Sequence, residues 1–221
     1  MISDKKLLIF DLDGTIVDTI WSIRDGLNMT MREFGFPERS YAEVRQAIGN
    51  GARELVRRSM PSDSAQDAEL VDRALAHYND AYGQTYKNIN GCYEGMAESM
   101  RALKARGYTL AVLSNKQDVY VKAIIELLFS DGTVSVAMGQ TAELPRKPDP
   151  TVPLMIAEQL GFSAEQTVFV GDSEVDIMTG RNARMLTVGC AWGYRDRKDL
   201  ESAGADVIID HASELERIFD L

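Results

Sequence analysis

Apolar residues along the chain fall into two kinds of run. Short aliphatic stretches without polar alternation recur at Leu7–Phe10, Leu110–Leu113, Val134–Met138, Val168–Val170, Leu186–Val188 and Val207–Ile209. These predict strands covered on both faces, because a strand with one wet face would alternate. Helical spacing fills the intervals between them. Met96, Met100 and Leu103 share one helical face and end at Gly107. Asp149–Pro150 predicts an N-cap followed by proline at the first helical position, in a helix that stops before Gly161. Ser213 and Glu216 have the spacing of a capping box ahead of Leu215, Ile218 and Phe219. Strand and helix in alternation predict a parallel sheet with right-handed crossovers.

One stretch breaks the rhythm. From about Ile20 to Tyr86 only helical patterns occur: Ile20, Ile23, Leu27, Met31 and Phe34, then Val44 and Ile48, then Leu70, Ala74, Tyr78 and Tyr82. Gly35–Pro37, Gly49–Gly51 and Pro61 punctuate them. The expected architecture is therefore α/β, a doubly wound (Rossmann-like) parallel sheet with an all-helical cap inserted after the first strand. Residues 1–17 and 89–221 would form the core and 18–88 the cap, with linkers near Val17–Thr19 and Asn88–Gly95.

Composition narrows the class. The 221 residues exceed one typical domain of roughly 100–150 residues and suit a core with a large insertion. Apolar residues at 45% and charged residues at 26% belong to a globular chain rather than a disordered one. A net charge of −10 argues against nucleic acid and anionic membranes as partners, since both select a positive field. No apolar run approaches a membrane span, and Asp11 cuts the first run short of a secretory signal. Cys92 and Cys190 stand far apart and predict reduced thiols in a cytoplasmic protein. Oligomeric state leaves no mark on the sequence.

Candidate chemistry collects where ligands of open α/β sheets bind, at the carboxyl ends of the strands. The first strand runs into DLDGTIVDT, Asp11 to Thr19, with Asp11 and Asp13 two residues apart in an extended segment and thus on one side. The second leads to Ser114 and Asn115; Lys147 stands in RKPDP; the fourth leads to GDSEVDI, which holds Asp172 and Asp176. Four carboxylates in one cleft require a neutralising cation. Oxygen ligands of this hardness suit Mg²⁺ shared with a substrate phosphate. Lys147 and Ser114 would complete an anion site for a phosphoryl group, a carboxylate could attack phosphorus, and a second could act as acid and base.

DLDGT, Ser114–Asn115, Lys147 in KPDP, and GDSEVD resemble, in the right order, the four motifs of the haloacid dehalogenase superfamily, over essentially the whole chain. IGNGARELV from Ile48, CAWGYRD from Cys190 and GADVIID from Gly204 are similar to its phosphoglycolate phosphatase-like branch. The resemblance implies Asp11 as nucleophile and metal ligand, and Asp13 as acid/base with its carbonyl on Mg²⁺. It implies Ser114 and Lys147 as phosphoryl binders with Asn115 in support, and Asp172 as a metal ligand. Asp176 would be either a further ligand or a carboxylate that orients its neighbours. Asn50 and Arg53 of the cap segment would contact the substrate, an arginine suiting a carboxylate.

Other branches fit less well. A dehalogenase would lack Asp13, a sugar phosphomutase would carry histidine where Ile23 stands, and a phosphonatase would carry a cap lysine that Ile48–Val56 does not offer. A receiver-type regulatory domain would be shorter and without the insertion. The expected activity is Mg²⁺-dependent hydrolysis of a small phosphate monoester, with 2-phosphoglycolate first; an inorganic pyrophosphatase or nucleotidase is the alternative. His77, His211, Trp21 and Trp192 are expected in surface or packing roles, with Trp192 at the border of the site. Asp18 and Thr19 are expected to hinge or cap.

Overall fold

A computed structural model describes residues 4–218. Six parallel strands form one sheet: β1 (Leu7–Phe10), β2 (Thr109–Gln117), β3 (Val136–Gln140), β4 (Thr167–Gly171), β5 (Leu186–Cys190) and β6 (Val207–Ile209), in the order β3-β2-β1-β4-β5-β6. Leu7 to Phe10 are fully buried, as a strand covered on both faces requires. On one face Leu7, Ile9, Ala111, Leu113 and Phe169 pack with Val152 and Ile156 of a helix at Thr151–Gln159. The chain runs outward from β1 through β2 to β3, then returns to the other side of β1 with β4. That reversal opens a crevice at the carboxyl ends of β1 and β4.

Ten helices lie among the described residues. Four follow β1 directly: α1 (Ile20–Glu33), α2 (Tyr41–Ala47), α3 (Ala52–Ser59) and α4 (Ala68–Thr85). The rest are α5 (Met96–Ala105), α6 (Asp118–Phe129), α7 (Thr151–Gln159), α8 (Glu174–Asn182), α9 (Arg197–Ala203) and α10 (Glu214–Ile218). The chain divides into two compact units: the sheet with α5–α10, from residues 4–18 and 91–218, and the helical unit Thr19–Asn90.

Within the helical unit, Val71 rather than Leu70 joins Ala74, Tyr78 and Tyr82 on the buried face of α4. α2 begins with a complete capping box between Ser40 and Glu43. His77 is not a surface residue: it is half-buried, with Nδ1 3.0 Å from Thr30 Oγ1 and its ring edge-on to Phe34. Trp21 does not pack inside. It is 42% exposed, against Tyr41 and under the Arg24 guanidinium.

Several element boundaries and caps differ from those the sequence predicts. β2 continues four residues beyond Leu113, because Ser114 and Asn115, though polar, are buried and hydrogen-bonded and let the strand go on. β3 starts two residues later than Val134, the edge position leaving it only half covered. α7 starts at Thr151, so Pro150 is the N-cap and the Asp149 carboxylate accepts from the Thr151 N–H at 2.8 Å. Before α10, Glu214 rather than Glu216 closes the turn, accepting from the Asp210 and His211 N–H groups, while Glu216 accepts from Ser99. Phe219 lies outside the described residues.

Candidate active site

The crevice is built by segments at the carboxyl ends of β1 to β5. At the end of β1 the Asp11 N–H donates to Val170 O at 2.8 Å, so the β1–β4 ladder extends one residue and Asp11 stands beyond the last rung. The chain then turns tightly: Ile16 and Val17 N–H both reach Leu12 O, and Gly14 adopts φ +90°. Gly14 is also required by space, since a Cβ there would lie 2.4 Å from the Asp172 carboxylate. Gly193, in the loop after β5, faces Asp172 from the other side at 2.2 Å by the same measure. Two backbones thus close on one carboxylate.

Asp172 is held from both loops. Its Oδ1 accepts from Thr15 Oγ1 at 3.1 Å and its Oδ2 from the Tyr194 N–H at 2.7 Å. Trp192 ties the same loops together by donating Nε1–H to Thr15 O, and the Tyr194 hydroxyl donates to Asp18. Asp176 lies in the first turn of α8, where its Oδ2 accepts from the Ser173 N–H and hydroxyl in a capping box. Its Oδ1 accepts from Lys147 Nζ at 2.7 Å.

Lys147 is the hub. Its Nζ lies 2.7 Å from Asp11 Oδ1 as well as from Asp176, and all three side chains are buried. The Asn115 amide grips the lysine's backbone, accepting from Lys147 N–H at 2.9 Å and donating to Lys147 O at 3.1 Å. Asn115 therefore positions the lysine. Burial works against the ammonium, but Asp11 and Asp176 outweigh it and hold its pKa above the ordinary lysine value.

Asp11, Asp172 and Asp176 bring carboxylate oxygens within 4.8 Å of one another. Set against the single Lys147 ammonium, three ionised carboxylates leave an excess of two negative charges in a dry crevice. Burial pushes Asp11 up to about 7, Lys147 pulling it back and Asp176 and Asp13 adding to the rise. Asp172 is driven well above the usual carboxylate range, by burial first and by Asp176 and Asp11 next. An all-oxygen donor set with that charge excess fits a hard divalent cation. The Cys190 thiol, buried nearby, is pushed up by burial and by Asp172, so it is no nucleophile.

Asp13 and Ser114 sit apart from this hub. Asp13 lies in the turn after β1 and its Oδ1 accepts from Lys116 Nζ at 2.6 Å. Ser114, buried in β2 beside β1, has its Oγ 3.3 Å from the Lys116 N–H. Lys116 was not among the residues singled out from the sequence, nor were Thr15 and Tyr194. Its place in the continuation of β2, two residues after Ser114, puts Lys116 at the same end of the sheet, in the stretch where the β2–β3 register shifts. Thr15 and Tyr194 carried no sequence signal beyond their neighbourhood.

Asn50 and Arg53 belong to the helical unit. Asn50 precedes Gly51, the N-cap of α3, and Arg53 in the first turn pairs with Asp72 of α4 at 3.0 Å.

A doubly wound sheet with a carboxylate, a lysine and a cation-fit cluster at its switch point defines an enzyme of phosphoryl chemistry. The profile of the haloacid dehalogenase-like hydrolases matches residues 8–190, and the chain belongs to that family. It is 30% identical to the phosphoglycolate phosphatase of Psychrobacter arcticus, over 96% of this chain and 94% of that one. Two crystal structures, of proteins provisionally described as phosphoglycolate phosphatases, share the fold. The one from Lactobacillus delbrueckii has a TM-score of 0.89 at 30% identity, covering 97% of this chain and 98% of that one. The one from Haemophilus somnus has a TM-score of 0.90 at 29% identity, with the same coverage. The protein is a phosphoric monoester hydrolase. No helix among the described residues is long and apolar enough to cross a membrane.

Proposed function

We propose that this enzyme hydrolyses 2-phosphoglycolate through an aspartyl-phosphate, with Mg²⁺ as its metal. The reading rests on one observation above others: Asp11 stands at the end of β1 beside Lys147, in a crevice whose buried carboxylates exceed its ammonium by two charges. The name of the Psychrobacter relative supports the substrate.

An Asp11 carboxylate oxygen attacks phosphorus, and the bond from phosphorus to the ester oxygen breaks. Asp13 gives its proton to the leaving oxygen, then takes a proton from the water that attacks the phosphoenzyme and releases phosphate. Lys147 and Ser114 bind the phosphoryl oxygens, the lysine held in place by Asn115. Asp11, Asp172, Asp176 and the Asp13 carbonyl are the candidates to hold Mg²⁺, which would neutralise the crevice and keep Asp11 ionised. Asn50 and Arg53 of the helical unit contribute to substrate recognition, and two free thiols accord with a cytoplasmic location.

Phosphate release from a panel of phosphorylated metabolites, pyrophosphate and nucleotides tests the reading. The highest kcat/KM is expected for 2-phosphoglycolate. A maximum on pyrophosphate or a nucleoside monophosphate would overturn the substrate.

A further inference from the structure

We propose that Lys116 is the specificity-determining residue that recognises a carboxylate on the leaving group of the substrate. The inference deepens the reading of Asp13 as the acid that protonates that leaving group, and rests on it.

The geometry is short-range. Lys116 Nζ lies 2.6 Å from Asp13 Oδ1. An acid that protonates the leaving oxygen must come within hydrogen-bond distance of it, so Nζ would be within about 6 Å of that oxygen if Oδ1 carries the proton and within about 8 Å if Oδ2 does. In an O–CH₂–COO⁻ leaving group the carboxylate begins two bonds from the same oxygen. A leaving group turned toward β2 would bring that carboxylate to the ammonium.

The lysine has little freedom to point elsewhere. Its side chain is 7% exposed, so the stem is enclosed while the head meets Asp13. Asp13 keeps 19% of its side chain accessible, against 3% for Lys147 and 1% for Asp176. Asp13 thus stands toward the solvent side of the site, where a leaving group must arrive and depart, with the Lys116 ammonium against it. One ammonium can serve two carboxylates here, as Lys147 does with Asp11 and Asp176. Lys116 would do the same with Asp13 and the substrate. A neutral alcohol of equal size would gain nothing from it, which converts one lysine into a preference for acidic leaving groups.

The test compares 2-phosphoglycolate with ethyl phosphate, its neutral counterpart, in wild type, Lys116→Met and Lys116→Gln, within a wider panel of anionic and neutral alkyl esters. Both esters are assayed on one preparation, so any loss of folded enzyme cancels from the ratio of kcat/KM. The wild-type preference for the acidic ester is expected to fall about 10- to 100-fold in both variants, the size of one charge-assisted hydrogen bond. An unchanged ratio would overturn the role of Lys116 and leave the phosphoglycolate reading standing. An equal fall on both esters would make Lys116 a support of Asp13 and likewise overturn the inference. If wild type prefers a different carboxylate ester and the variants lose that preference, the phosphoglycolate reading fails and the inference holds. If wild type favours no carboxylate ester over its neutral match, both fall.

Discussion

Two lysines serve carboxylates at the same end of the same sheet, and their surroundings set them different tasks. Lys147 is enclosed by Asp11 and Asp176, with its backbone in the Asn115 clamp. Lys116 pairs with Asp13, whose side chain is the more accessible of the two. A fully enclosed charge suits a feature shared by every phosphate ester, the phosphoryl group itself, because preorganised and dry electrostatics are strongest. A charge closer to water suits a feature that differs among esters, because exchange of partners there costs less desolvation. On this reading, chemistry common to all substrates and discrimination among them would fall to two different lysines.

The comparison breaks most sharply at Asp11. Asp11→Asn keeps shape but removes the attacking anion, and turnover on every ester should fall at least about 10³-fold. Phosphate release within tenfold of wild type would remove Asp11 from the chemistry. Asp13→Asn should slow alkyl esters by about 10²- to 10⁴-fold and p-nitrophenyl phosphate far less, since a nitrophenolate needs no proton to leave. Equal losses on both would deny Asp13 the acid role and, with it, the position assigned to Lys116.

Removing the metal should abolish activity and restoring Mg²⁺ should recover it; full turnover in EDTA would mean that the carboxylate cluster acts alone. Stability carries the same information. Asp11, raised from 3.8 to about 7, and Asp172, raised well above the usual carboxylate range, hold protons more tightly folded than unfolded. The Asp11 contribution to metal-free stability is complete below pH 3.8 and is lost as the pH rises through about 7, and Asp172 acts in the same direction. Mg²⁺ needs the ionised carboxylates, so the rise in Tm that it causes should be larger at pH 8 than at pH 5.5. A larger rise at pH 5.5 would place the metal elsewhere.

The smallest effects belong to the helical unit. Asn50→Ala and Arg53→Ala should raise KM for the preferred substrate several-fold while p-nitrophenyl phosphate turnover stays within about threefold. Loss of the exposed Arg53–Asp72 pair should leave Tm nearly unchanged, since such pairs contribute little. Unchanged KM in both variants would leave recognition to the strand ends.

Much of this molecule was readable before folding. Runs such as Leu7–Phe10 determine a doubly covered strand because nothing but burial on both faces satisfies four consecutive aliphatic side chains. The helical stretch after β1 was readable from its 3.6-residue spacing, and the order of DLDGT, Ser114–Asn115, Lys147 and GDSEVD placed carboxylates and a lysine at strand ends. What periodicity cannot carry is a contact between residues far apart in the chain. That Asn115 grips the Lys147 backbone, that Gly14 and Gly193 leave room for Asp172, and that Lys116 rather than another lysine meets Asp13 depend on the ends of β1 to β5 converging. The same holds for His77, which helical context alone put on the surface and Thr30 draws between α1 and α4. Local spacing determined which element each residue joined. Only the closure of the sheet decided which side chains share a proton, a charge or a cation, because those energies depend on distance and burial rather than on sequence separation.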